Sequence, residues 1–138
     1  MEPGSRTLVV MEGDQTGQEL LEEALRVLDP AVTGLPLAFE RYDLSLENRR
    51  RTRNQVVFEA AEANVRHGYG LKAATVTPEG AGDVGSPNAL LREAIGGTVI
   101  IRTGRRLSGV RPIGGIHAPI SIVRMAVDDA YNAREYRE

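Results

Sequence analysis

The sequence predicts an α/β fold with a mostly parallel β-sheet. Short apolar runs rich in β-branched residues alternate along the chain with segments whose apolar residues recur at helical spacing. Glycine, proline or a capping residue separates most of these segments. Strands that alternate with helices are typical of parallel sheets, because each helix carries the chain back to the end where the next strand begins.

The amino-terminal half contains two predicted strands and two predicted helices. Residues 6–11 form an apolar run that indicates a buried strand, and residues 18–29 place leucines at helical spacing just before a proline. Residues 35–43 alternate imperfectly between apolar and polar side chains and predict a second strand. Thr52 is the expected cap of the second helix, and Gly68 is its expected end.

The second half predicts three more strands around one helix. The third strand is expected over residues 69–76, followed by a loop and then a helix that starts with Ser86 as cap and Pro87 in its first turn. Further strands are expected over residues 98–102 and 118–127, joined by a basic, turn-rich loop. No helix follows the last strand, so we expect this end of the chain to leave the main sheet.

Composition favours one soluble, cytoplasmic domain. The chain has 138 residues, of which 41% are hydrophobic and 26% charged, and we expect a single domain over residues 1–138 with about 115–138 as an extended tail or swapped arm. The net charge of -2 gives no reason to expect nucleic acid. The chain has no cysteine and no apolar run long enough to span a bilayer. Lys72 is its only lysine.

The predicted helix start at Ser86 is also a candidate anion site. Backbone N–H groups at a helix amino terminus attract anions, and Asn88 and Arg92 share one face of the helix. Arg102 and Arg124 lie on strands that look buried, where an arginine needs an anionic partner. An ordinary capped helix with a solvated face is the usual explanation of the first three residues, whereas the additional arginines favour an anionic ligand. The residues alone therefore leave both interpretations open.

Other polar features carry weaker signals. The turn at residues 12–19 lacks a phosphate-loop pattern and is expected simply to lead into a capped helix. The basic cluster at residues 48–53 is interpreted as a solvated loop. His117 shows no metal-ligand spacing with the aspartates, so we predict no metal site. By spacing alone, Tyr131 is a packing residue.

Five segments resemble one family in the same order along the chain. They are EGD at 12–14, YDLSLENRRRTRNQV at 42–56, LKAATVTPE at 71–79, SPNALLREAIGGTVIIR at 86–102 and APISIVRMAVDDAYNAREYRE at 118–138. The chain resembles the amino-terminal part of the isocitrate/isopropylmalate dehydrogenases, which are metal-dependent β-decarboxylating enzymes, and is most similar to homodimeric, eukaryotic-type isocitrate dehydrogenases. The resemblance implies part of a three-layer large domain with a carboxyl-terminal tail leading toward the small domain.

The resemblance also implies roles for individual residues. The matching substrate-binding residues are Thr77, Ser86, Asn88, Arg92, Arg102 and Arg124. The positions near the cofactor are Lys72, Thr75 and Thr77. Tyr131 matches the general acid that protonates the enolate after decarboxylation. Arginine forks suit the carboxylates of a tricarboxylate.

The chain departs from the family pattern in three ways. The resemblance implies that the metal-binding aspartates, the catalytic lysine and most of the coenzyme pocket belong to a part of the family that these 138 residues do not match, and Lys72 does not match that lysine. The loop before Ser86 is short and lacks an arginine that helps bind NADP. Met125 and Asp128 replace a histidine and a glycine near Tyr131.

Two functions follow as expectations. In the first, the chain is a truncated isocitrate dehydrogenase-like protein that carries the tricarboxylate-recognition half of an NAD(P)-dependent oxidative decarboxylase and is inactive alone. In the second, it is a non-catalytic binding or assembly module derived from the family. Whether it is an enzyme stays open. The family uses NAD or NADP with Mg²⁺ or Mn²⁺, but no cofactor is assigned to this chain. The expected partners are an isocitrate-like tricarboxylate and either further copies or a complementing chain, without nucleic acid or membrane.

Overall fold

The structure, a computed structural model, describes residues 4–80 and 82–127. The chain divides into two compact units, Met1–Ile95 and Gly96–Glu138, and each is described by itself. The expectation that residues 1–138 act as one domain, with a tail from about residue 115, stays a prediction. Tyr131 and Asp128 lie outside the described residues.

The first unit contains a three-stranded parallel sheet. Its central strand β1, Arg6–Glu12, pairs on one side with β2, Leu37–Asp43, and on the other with β3, Gly70–Lys72. The middle of β1 is fully buried, as its apolar composition predicts. The predicted parallel sheet is therefore confirmed in this unit.

Helices cover both faces of this sheet. They are α1 (Gln15–Leu28), α2 (Pro30–Thr33), α3 (Leu46–Thr52), α4 (Gln55–His67) and α5 (Pro87–Ala94). Successive side chains of a strand point to opposite faces. Accordingly Val10 packs with Leu21 of α1, whereas Val9 packs with Val57 and Ala60 of α4. Helix α5 adds Leu91 to the α4 side. The unit thus has the three layers that the resemblance implies.

The predicted cap at Thr52 is wrong. Thr52 ends α3, a helix that the sequence did not predict, and its Oγ1 donates to the carbonyl of Asn48 over 2.8 Å. Two left-handed residues, Arg53 with φ 50° and Asn54 with φ 65°, then turn the chain into α4. The predicted end of α4 at Gly68 is confirmed, since this glycine adopts φ 78°.

The third strand is shorter than its apolar pattern predicts. Only residues 70–72 form the strand that pairs with β1, although the N–H of Ala73 still donates to the carbonyl of Met11 over 2.9 Å. Beyond Ala73 the chain leaves the sheet, and the N–H of Asp14, in the turn that follows β1, donates to the carbonyl of Ala74 over 3.0 Å.

The second unit contains an antiparallel ribbon of two strands. Strand β4, Val99–Gly104, pairs with β5, Ile120–Met125, so that Ile100 lies opposite Arg124 and Arg102 opposite Ile122. The expectation that the arginine-bearing strands are buried is wrong, because every residue of β5 and nearly all of β4 are exposed in this structure. A ribbon of two strands cannot cover its own faces.

Candidate functional site

The candidate site lies where the three parallel strands end. Asp14 follows β1, and its carboxylate accepts the N–H of Leu46 over 2.9 Å and that of Val76 over 2.8 Å. Leu46 lies beyond β2 and Val76 beyond β3, so one side chain joins the segments that leave all three strands. Ligands of open parallel sheets bind at this carboxyl edge. Asp14 therefore organises the edge instead of capping α1, for which its side chain makes no hydrogen bond.

The turn after β1 lies directly against the segment after β3. A Cβ atom added at Gly13 would lie 2.1 Å from the carbonyl oxygen of Ala74, and one at Gly17 would lie 2.6 Å from the same oxygen. No side chain fits such distances. Gly13 in this turn and Gly17 in the first turn of α1 are thus required by close backbone packing.

Lys72 and Thr75, both implied near the cofactor, contact each other. The Lys72 Nζ donates to Thr75 Oγ1 over 3.0 Å and to the carbonyl of Ala73 over 2.9 Å. Burial, together with the positive charges of Arg49 and Arg92, lowers the pKa of Lys72 to about 8, although the charge of Asp14 opposes this change. The amine therefore lies in a positive environment at the carboxyl edge. Thr77 is exposed two residues beyond Thr75.

Helix α5 begins at the same edge, but the side chain at its cap position does not cap it. Ser86 occupies that position and Pro87 the first turn, as predicted, yet the Ser86 hydroxyl makes no capping hydrogen bond. Asn88 and Arg92 are half-buried one turn apart on this helix. Arg92 is also close enough to Lys72 to act on its charge. The structure thus brings Lys72, Thr75 and Arg92 into one region of the first unit.

Arg102 and Arg124 belong to the second unit. The register places them on the same face of the ribbon, diagonally across the two strands, and both are exposed. A clamp that includes Arg92 stays a prediction, as does the role of Tyr131.

The basic cluster at residues 48–53 is not a solvated loop, because its Arg49 is completely buried. The Arg49 Nε donates to the carbonyl of Leu44 over 2.9 Å, one terminal nitrogen donates to that of Gly85 over 3.1 Å, and the other donates to that of Val76. Sequence reasoning missed this residue because an arginine inside a run of arginines resembles surface charge. Its three carbonyl partners are far apart in sequence and carry no signal.

Arg50 and Asn54 contact Asp83 and Val84, the two residues that precede Gly85. Arg50 forms an ion pair with Asp83, with 2.6 Å between the guanidinium nitrogen and Oδ2. The Arg50 guanidinium holds the pKa of Asp83 below its ordinary value. The Asn54 side-chain amide donates to the carbonyl of Val84 over 2.7 Å. The end of α3 and the turn into α4 thus support the segment that leads to α5.

The described residues do not fit a divalent metal. Within residues 4–80 and 82–127, no three histidine, cysteine, aspartate or glutamate side chains lie close enough together to hold an ion. Carboxylate oxygens are the ligands that Mg²⁺ and Mn²⁺ prefer. In the same part of the chain, no helix is long and apolar enough to cross a membrane.

Comparisons with known proteins agree on one relationship. The family model described as isocitrate/isopropylmalate dehydrogenase matches residues 7–138. The mitochondrial isocitrate dehydrogenase [NADP] of Aspergillus niger is 34% identical over 136 residues, which cover 93% of this chain and 27% of the relative. Isocitrate dehydrogenase [NADP] 1 of Mycobacterium tuberculosis is 38% identical over 112 residues, which cover 75% of this chain and 27% of the relative. The chain thus spans about a quarter of the length of these relatives.

Proposed function

Because the chain belongs to the isocitrate/isopropylmalate dehydrogenase family, we propose that it carries the tricarboxylate-recognition part of an NAD(P)-dependent oxidative decarboxylase and does not complete the reaction alone. The observation that carries the proposal is the position of Arg92. It lies in the last turn of α5, and its positive charge acts on Lys72 at the carboxyl edge of the sheet. Two relatives are named as isocitrate dehydrogenases, which favours isocitrate as the substrate.

The proposed recognition is mainly electrostatic. Arg49, Lys72 and Arg92 create a local excess of positive charge, which adds to burial in lowering the pKa of Lys72. A tricarboxylate would relieve this repulsion. In the proposal, Ser86 and Asn88 donate hydrogen bonds to one carboxylate, and the guanidinium of Arg92 binds an adjacent one through its planar fork.

The arginines of the ribbon have a proposed share in the same recognition. Arg102 and Arg124 lie on one face and would supply two more forks to the tricarboxylate. Tyr131 would act as the general acid that returns a proton to the enolate. These three roles rest on the family resemblance.

A nicotinamide coenzyme fits the described residues only in part. Thr75 and Thr77 could hold its ribose hydroxyls, and Lys72 could bind a nearby anionic or hydroxyl group. When bound, the coenzyme would accept a hydride from the hydroxyl-bearing carbon of the substrate. The proposal assigns no metal-dependent step to the described residues, because they provide no set of metal ligands.

Exposed apolar surface supports the proposal that other chains complete this one. On one face of the ribbon Val99, Ile101, Val123 and Met125 are each more than half exposed. In the first unit, the lining of a pocket of about 270 Å³ includes four leucines, Leu8, Leu28, Leu37 and Leu71. Apolar surface of this kind marks interaction sites. A homo-oligomer or a complementing chain would cover it, and a cytoplasmic location stays part of the proposal.

The same surfaces favour the second candidate, a non-catalytic binding or assembly module. The two candidates separate in an assay of NADP⁺ reduction with isocitrate and Mg²⁺, run on the purified chain alone and with a chain that supplies the remaining part of the family fold. Turnover only in the mixture supports the decarboxylase. Binding without turnover in either sample supports the module, and turnover by the chain alone contradicts the proposed incompleteness.

A further inference from the structure

We propose that Asp14 and Arg49 are positioning residues that set the shape of the segment between β3 and α5, residues 73–86. Its described residues, 73–80 and 82–86, have almost no regular secondary structure, yet they include Thr75, Thr77 and Ser86. The importance of the segment for binding rests on the function proposed above. The role of the two positioning residues follows from their own contacts.

Val76 is held from both sides of its backbone. Its N–H donates to Asp14 Oδ2 over 2.8 Å, and its carbonyl accepts a terminal nitrogen of Arg49. Bonds to both the N–H and the carbonyl of Val76 restrain the peptide groups on either side of it. They therefore restrain where its neighbours Thr75 and Thr77 lie.

The guanidinium of Arg49 joins the two ends of the segment. It bonds the carbonyls of Val76 near the beginning and Gly85 at the end, and its Nε bonds Leu44 beyond β2. Gly85 immediately precedes Ser86, so the same group sets where α5 begins. A planar fork with five N–H donors on three nitrogens can reach three separated carbonyls, whereas the three donors of a lysine ammonium lie on one nitrogen.

The hydrogen bonds of Arg49 must offset the free-energy cost of burying its charge. Its side chain is completely buried, and desolvation lowers its pKa, while the negative charges of Asp14 and Asp83 oppose that change. An arginine buried without partners is strongly destabilising. The segment thus acquires its shape from a group that needs those carbonyls, and other backbone arrangements would leave the guanidinium unsatisfied.

Hydrogen exchange tests whether these residues hold the segment. The samples are the full chain without added ligand, as wild type, Arg49→Lys, Asp14→Asn, and Arg53→Lys as the control for an exposed neighbour. We expect amides of residues 76–86 to exchange about tenfold faster or more in the first two variants, and unchanged exchange in the control. Amides of β1 should stay protected in all samples.

Exchange at residues 76–86 equal to wild type in Arg49→Lys would overturn the proposal. If that variant does not fold, Asp14→Asn decides. Asparagine keeps the size of the side chain, but its amide nitrogen cannot accept the hydrogen bond that the second carboxylate oxygen of Asp14 accepts. Unchanged exchange in Asp14→Asn would then overturn the proposal in the same way.

Citrate binding tests whether the positioning matters for the site. Lysine keeps the charge of Arg49, so a lower affinity in Arg49→Lys would not come from lost attraction. We expect its Kd for citrate to rise about tenfold or more by calorimetry, while the salt dependence of binding stays that of the wild type. Faster exchange with an unchanged Kd would overturn the positioning role. If wild type does not bind citrate, the proposed function fails, and hydrogen exchange still decides whether Asp14 and Arg49 hold the segment.

Discussion

The Nζ atom of Lys72 lies 3.0 Å from Oγ1 of Thr75, at the point where the chain leaves the parallel sheet. This contact joins two residues that the family resemblance implies near the cofactor. It also holds the only lysine of the chain in a partly buried, positively charged environment. The pKa of this one amine therefore reports on the burial and the charges at the carboxyl edge of the sheet.

Lys72 should make stability rise with pH in alkaline solution. Its pKa is lowered from 10.5 to about 8 in the folded chain. Between these values the unfolded chain binds more protons at this position, so the free energy of unfolding increases with pH. After discounting for partial exposure, we expect a contribution of about 1–2 kcal/mol. Urea denaturation at pH 7.5 and pH 10 measures it.

The control for this rise is Lys72→Met, which should remove it. Reductive methylation with ¹³C gives a single lysine signal whose titration reports the pKa directly. A midpoint near 10.5 would contradict the buried, positive environment described for Lys72.

Gly13→Ala should destabilise the first unit. The added methyl group would lie 2.1 Å from the Ala74 carbonyl oxygen, so the turn after β1 would have to move away from the segment after β3. Overpacking of this kind costs about 1–3 kcal/mol. Gly80→Ala is the matched control, since its nearest atom would be 4.0 Å away. Equal urea midpoints for the two variants would show that the close approach is absent in solution.

Ile101→Lys should weaken self-association. Ile101 is 68% exposed on the apolar face of the ribbon, and a charge there opposes its burial against another chain. Size-exclusion chromatography with light scattering should show an oligomer for wild type and a smaller species for this variant. Ile113→Lys is the control, because Ile113 is fully exposed in the connecting loop. A monomeric wild type would refute the expectation of an oligomer.

Much of the first unit could be predicted from the sequence. Strand β1 and helices α1 and α5 follow from apolar periodicity and from glycine and proline signals, since each buries one regular face. The turn at Arg53 and Asn54 could not be predicted, because both adopt positive φ without a glycine to indicate it. Helix α3, which ends at this turn, was missed because its run of arginines was interpreted as a solvated loop.

The resemblance to a family predicted site residues that spacing left ambiguous. Local patterns could not distinguish a capped helix from an anion site at Ser86. In the structure the Ser86 hydroxyl makes no capping hydrogen bond. Burial of Arg49 depends on carbonyls from three separate segments. Such long-range polar contacts have no periodicity, so they are found only once the chain is folded.

The central claim is that this chain recognises a tricarboxylate through α5, and calorimetric titration of citrate into the purified chain tests it most directly. We expect saturable binding that weakens about tenfold or more in Arg92→Ala, as the loss of a charge-assisted hydrogen bond implies. Arg26→Ala, which removes only an exposed ion pair with Glu23, should bind like wild type. The account is contradicted if wild type does not bind citrate, or if Arg92→Ala binds it as tightly as wild type does.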